Sequence, residues 1–237
     1  MSVDEIVAEL RAHANPANVA GMARFGINPR NTLGLSIPFL RKLAKQIGRD
    51  LPGQLAQELW ATGIHEARIL AAFVDDPALV GETQLEAWVR DFDSWDVCDQ
   101  VCSGLFDRTR FAHARAVEWS SRPEEFVKRA GFVLMARLAV SKKNANDNGF
   151  LEFFQRIEKE AHDDRPMVRK AVNWALRQIG KRSEMLHRSA LTVAERLSSR
   201  REPSARWIGA DAARELSGAT ALNIFNRHEH QRSSKKP

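Results

Sequence analysis

From residue 3 to residue 216 the apolar positions recur at helical spacing, and no stretch shows the alternation that a strand pair needs. That periodicity limits the chain to an all-α fold. Start signals support it: Ser36-Ile37-Pro38, Pro52, Pro123, Pro166 and Pro203 each stand where a helix can open. Helices are expected near Val3–His13, Ala17–Arg24, Phe39–Ile47, Pro52–Ala61, Ile64–Val74 and Thr83–Phe92, then from Trp95 onward. Others are expected at Ala112–Ser120, Pro123–Val140, Gly149–His162, Pro166–Ile179, Glu184–Ser199 and Pro203–Leu216. The remainder, 218–237, reads as a basic, flexible C-terminal tail.

Three of these helices share a pattern. Glu125-Phe126-Val127-Lys128-Arg129-Ala130, Pro166-Met167-Val168-Arg169-Lys170-Ala171 and Pro203-Ser204-Ala205-Arg206-Trp207-Ile208 each place basic residues in the second turn. Val127 and Val168 are 41 residues apart, Val168 and Ala205 37. Helix pairs at that period are the mark of HEAT-type repeats, with Glu66-Ala67-Arg68-Ile69-Leu70 a degenerate copy. The expected architecture is an α-α superhelix, a HEAT-like solenoid spanning 1–217 as one domain, with its basic positions on a concave face. A plain helical bundle is the competing architecture.

Charge is uneven along the chain. Residues 1–99 carry 9 Lys+Arg against 14 Asp+Glu, a net of −5. Residues 100–237 carry 27 against 16, a net of +11. A basic half points to a polyanion, nucleic acid first. Two cysteines four residues apart make no disulfide framework, and Met1-Ser2-Val3-Asp4-Glu5 is no signal peptide. No run approaches a membrane span. A cytoplasmic, monomeric protein without membrane association is expected, associated with the nucleoid when on DNA.

Asp91-Phe92-Asp93-Ser94-Trp95-Asp96-Val97-Cys98-Asp99-Gln100-Val101-Cys102 is the stretch richest in chemistry. Ser94 suits an N-cap, and Val97, Val101 and Leu105 mark a buried stripe flanked by Cys98 and Cys102. Trp95 and Asp99 share one face at the edge of that stripe. A fixed carboxylate beside a ring can stabilise a developing cation. The same spacing also suits an interfacial tryptophan next to a solvated carboxylate. The carboxylates of Asp91, Asp93, Asp96 and Asp99 diverge on one helix start, and no Cys/His pair completes a zinc site, so neither metal nor cofactor is expected. His65-Glu66 lacks the second histidine of a zincin motif, and Ser36 reads as a helix cap that could also hold a phosphate.

In the 166–179 helix, Val168, Val172, Ala175 and Ile179 form the buried stripe. Lys170, Trp174, Arg177 and Lys181 lie on another face, a ring threaded through a basic row that suits a phosphate backbone. Trp174 packed on a neighbouring helix beside solvated cations is the other account. In the 123–140 helix, Val127, Gly131, Leu134 and Leu138 form the stripe, and Arg129 projects off it, free to grip an anion.

Trp95-Asp96-Val97-Cys98-Asp99, Lys128-Arg129-Ala130 and Arg169-Lys170-Ala171-Val172-Asn173-Trp174-Ala175-Leu176-Arg177, in this order, resemble the AlkD-type family of DNA alkylation-repair glycosylases. Phe25-Gly26-Ile27, Ser36-Ile37-Pro38-Phe39-Leu40-Arg41 and Leu59-Trp60 through His65-Glu66-Ala67-Arg68 resemble its N-terminal half. The resemblance implies a HEAT-like solenoid cradling duplex DNA and hydrolysing the N-glycosidic bond of cationic N3- or N7-alkylated purines. It implies Asp99 as catalytic carboxylate, Trp95 and Trp174 as cleft aromatics and Arg129, in preference to Lys128, as cleft arginine. Lys128, Arg169, Lys170, Arg177, Lys181, Ser36 and Arg41 are the expected DNA contacts. The chain has no tyrosine, so Phe25 stands wherever the family uses one near DNA. A non-catalytic HEAT-like protein that binds damaged or branched DNA is the alternative, and a protein–protein scaffold a third reading.

Overall fold

The computed structural model describes residues 1–48, 52–142 and 145–218, so all but the first residue of the expected tail lies outside the described residues. Thirteen α-helices and no strand occur among them. They are α1 (Val3–Ala12), α2 (Pro16–Arg24), α3 (Ile37–Ile47), α4 (Pro52–Ala61), α5 (His65–Val74), α6 (Glu82–Arg90) and α7 (Trp95–Gly104), followed by α8 (Ala112–Trp119), α9 (Glu125–Ser141), α10 (Leu151–Glu160), α11 (Pro166–Gly180), α12 (Glu184–Ser198) and α13 (Pro203–Leu216). Ser2 and Glu5 close a capping box on α1, and Ser36 and Ser183 cap α3 and α12 by accepting from Phe39 N–H and Leu186 N–H. Each satisfies a backbone donor that the first turn leaves open. Proline opens α2, α3, α11 and α13. The start expected at Pro123 falls at Glu125, and the segment expected as Gly149–His162 is a 3-10 turn, Asp147–Phe150, before α10.

The chain divides into two compact units, Met1–Ala112 and His113 onward. In the first, α3, α4 and α7 all pack on α5. Eight of the ten α5 residues are buried, and Ile6, Leu10, Leu40, Leu59, Leu70, Val97 and Leu105 lie at 0% exposure around it. Burying each such side chain contributes about 1.5–3 kcal/mol. Trp60 and Trp88 stack with centroids 4.0 Å apart, at the junction of α4 and α6.

In the second unit α11 is central, packed on α9, α12 and α13. The predicted stripe Val168, Val172, Ala175 and Ile179 is fully buried, as are Leu134 and, nearly so, Val127 and Leu138. The helical repeat is visible in the cross-helix bonds. Arg129 reaches the Met167 carbonyl, Asn173 reaches Asp211 and Arg177 reaches Glu215, each 38 residues away. Close approach of the layers depends on two glycines. A Cβ on Gly131 would lie 2.4 Å from Ser120 N, and one on Gly209 2.4 Å from Ala194 O.

Candidate DNA-binding and active site

In the first unit the chemistry sits at the start of α7. Trp95 and Asp99, one turn apart, are both half-buried, while Val97, Cys98, Val101 and Cys102 between and beyond them are fully buried. The edge position read from the periodicity is therefore correct, and both cysteines are core residues. The Trp95 indole N–H donates to the Phe25 carbonyl at 3.1 Å, which fixes the ring against the end of α2. Phe25 itself is 75% exposed. Arg41, on α3, donates from Nη2 to Gln100 Oε1 at 3.4 Å, and its guanidinium lies over the Phe73 ring. Ser36 is exposed at the start of the same helix.

Ser94 occupies the N-cap of α7 but makes no capping hydrogen bond. Its hydroxyl donates instead to Asp96 Oδ1 at 2.6 Å and accepts from the Asn28 backbone N–H at 3.2 Å. The other Asp96 oxygen, Oδ2, takes His65 Nε2–H at 2.8 Å. The Ser94 proton goes to the charged acceptor and a lone pair to Asn28 N–H, and neither bond serves the open backbone donors of α7. Burial pulls the His65 pKa down and pushes the Asp96 pKa up, but the pair's own bond and charges outweigh it. His65 therefore rises above its ordinary 6.5 and Asp96 falls below 3.8, so the two stand as a buried ion pair. The remaining carboxylates of the acidic stretch point elsewhere. Asp93 accepts from Asn28 Nδ2 at 2.8 Å, and Asp91 from the Trp60 indole at 2.8 Å. Among the described residues no group of three His, Cys, Asp or Glu could hold a metal.

Glu66, next to His65, is 1% exposed and accepts the backbone N–H groups of Leu33, Gly34 and Leu35 at 2.9, 2.7 and 3.2 Å. It ties down the loop that leads into Ser36. The sequence reading missed Asn28, His65 and Glu66 as supports of this site. The available signal was an ionisable pair opening an otherwise apolar helix.

In the second unit, Lys128 does not face solvent. It is 7% exposed, with Nζ 2.7 Å from Glu160 and 3.0 Å from Asp163. A lysine this deep needs carboxylates to offset lost hydration. Burial pushes the Asp163 pKa up, but Arg165 and Lys128 outweigh it and hold it down to about 2. Arg129, expected to project freely, is 6% exposed and donates from Nη1 to the Met167 carbonyl at 2.6 Å. Helix α9 lies deeper in the unit than a single apolar stripe implies, since twelve of its seventeen residues are buried.

The α11 row lies at the surface. Lys170 is exposed and Trp174 half-buried. Arg177 and Lys181 both pair with Glu215 of α13, and Arg177 lies 3.8 Å from Asp211. Among the described residues no carboxylate pairs with Arg169; its guanidinium lies 4.7 Å from the centre of the Trp207 ring.

Helices stacked in this way at a 38-residue offset define a HEAT-like repeat protein. A solved structure from a family of proteins related to the HEAT-like repeat DNA glycosylases, with affinity for branched DNA structures, has the same fold: TM-score 0.73, 20% identity, covering 91% of this chain and 96% of that one. A designed armadillo repeat protein in complex with the peptide (KR)4 reaches only 0.43 at 15% identity, covering 91% of this chain and 92% of its own. No curated protein matches the sequence. Residues 6–216 match the model of the DNA alkylation repair enzyme family, and the chain belongs to that family.

Proposed function

We propose that this protein is a monofunctional DNA glycosylase that removes cationic N3- or N7-alkylated purines from duplex DNA, with residues 1–217 working as one DNA-binding domain. The observation that carries this reading is the start of α7. Trp95 and Asp99 lie half-buried on one face, above a helix start anchored by the buried Ser94–Asp96–His65 network and its half-buried partner Asn28.

The chemistry needs little else. An alkylated purine already bears positive charge, so the C1′–N bond can break with its electron pair passing to the purine ring. The sugar left behind is oxocarbenium-like. Asp99 stabilises that cation and accepts a proton from the water whose oxygen bonds C1′. Trp95 and, by motif, Trp174 add cation–π attraction of about 0.5–2 kcal/mol each. Arg129 serves as a cation held rigid by its bond to the Met167 carbonyl. Phosphate contacts are assigned to Arg169, Lys170, Arg177, Lys181, Arg41 and Ser36. Lys128 is left out because its ammonium is committed to Glu160 and Asp163.

The test is release of free base from duplex DNA containing N7-methylguanine or N3-methyladenine. Wild-type protein should release base, and Asp99→Asn should bind the same DNA without releasing it. A second reading, DNA binding without base release, draws on the branched-DNA affinity of the structural relative. Tight binding with no release of either base establishes it.

A further inference from the structure

The seam between α11 and α13 has two chemically different ends. Towards the helix C-termini every cation is matched: Arg177 and Lys181 close on Glu215, and Arg214 on Asp211. Towards the N-termini Arg165 is paired with Asp163, but other cations are not matched. Among the described residues Arg169 is in no ion pair, and its Nε, like that of Arg177, is buried with no hydrogen-bond partner. Lys170, Arg201 and Arg206 are exposed and among the described residues are likewise in no ion pair. Arg206 makes one bond, from Nη1 to the Arg201 carbonyl at 3.1 Å. From Arg200 to Trp207 the sole acid is Glu202.

Trp207 follows Arg206 in the chain, and Arg169, against its ring, is followed by Lys170. Trp207 is 39% exposed, whereas Trp60, Trp88 and Trp119 are at most 5% exposed. Arg169 lies against the ring at 4.7 Å. A side chain this large leaves water when it can, yet more than a third of it stays exposed.

An exposed indole with a cation against it, on a segment rich in exposed cations, matches what an unpaired nucleotide offers: a flat base to stack and a phosphate on each side. Paired bases expose only their edges, so a duplex interior cannot use the ring. We propose that Trp207, with Arg169, Lys170, Arg201 and Arg206, is a binding site for an unpaired nucleotide of a DNA strand. The proposal rests on the reading that the protein binds DNA; it is independent of whether the protein releases bases.

The test compares two labelled DNAs that share one duplex, one blunt and one carrying a short single-stranded overhang, with the full chain at fixed salt. Wild-type protein should bind the overhang form several-fold more tightly. Trp207→Ala should lose about tenfold on the overhang form and less than twofold on the blunt form, and Trp207→Phe should retain most of the preference. Because no phosphate contact is lost, Trp207→Ala should keep the salt dependence, whereas Arg169→Ala should flatten it. Equal affinity of wild-type protein for the two DNAs overturns the site and leaves duplex binding intact. Equal losses by Trp207→Ala on both DNAs overturn it as well. Binding to neither DNA overturns the DNA-binding reading and the site together.

Discussion

Lys181 Nζ lies 2.7 Å from Glu215 Oε1, and the other oxygen of the same carboxylate takes Arg177. Burial pushes the Glu215 pKa up, but these two cations outweigh it and hold it below its ordinary 4.5. One acid thus neutralises two of the cations assigned to DNA. A phosphate backbone must displace it before it gains either one. Glu215→Gln should raise DNA affinity roughly three- to tenfold and steepen its dependence on salt. Titration of one duplex at several salt concentrations checks this, and an unchanged affinity would remove Arg177 and Lys181 from the interface.

Lys170 has no such competitor. Lys170→Ala should weaken binding to all sequences alike and reduce the slope of log affinity against log salt by about 0.9. A loss confined to one sequence would show a base contact in place of a phosphate contact.

Lys128 gives the opposite expectation. Lys128→Met leaves Glu160 without its cation in a dry site and should cost about 3 kcal/mol of stability, roughly 6–12 °C in Tm for a chain of this size. DNA affinity and its salt dependence should stay within twofold. Calorimetry beside a binding titration separates a structural lysine from one that touches phosphate.

The His65–Asp96 pair links the start of α7 to pH. His65, raised, contributes stability that is fully present below 6.5 and is lost as pH rises through its folded value. Asp96, lowered, contributes stability that is present above 3.8 and is lost as pH falls through its folded value. Glu66 and Asp93 add to the raising of His65. The difference in Tm between wild type and His65→Gln should therefore be greatest between about pH 4 and 6.5, and should shrink above that. A difference that does not shrink as pH rises well above 6.5 would show that the pair is not charged.

Gly209 supports the packing of α13 on α12. Gly209→Ala gains helix propensity but sets a methyl 2.4 Å from Ala194 O and Ser198 N, both backbone atoms that cannot yield cheaply. A net loss of about 1–3 kcal/mol is expected in a denaturant titration.

The helices and the faces they bury were legible in the sequence. A helix is a local object whose stripe repeats every three to four residues, so Val168, Val172, Ala175 and Ile179 declare themselves without knowledge of their neighbours. Placing Trp95 and Asp99 at the edge of a stripe needed only the 100° step. The partners of charged groups were not legible. Ser94 looks like a cap until Asp96, itself bonded to His65 of another helix, takes its proton and Asn28 N–H donates to its oxygen. Lys128 and Arg129 are adjacent basic residues in the sequence, yet one enters a carboxylate pair and the other a carbonyl bond across the α9–α11 layer. Arg177 and Arg169 are two turns apart on one helix, and only the helix 38 residues on gives the first a glutamate and the second a tryptophan. Hydrophobic periodicity fixes which face is buried, because burial is one-sided and non-directional. Whether a given cation is free for a phosphate depends on directional bonds to groups that only the folded chain brings within 3–4 Å, and that was decided by the tertiary structure.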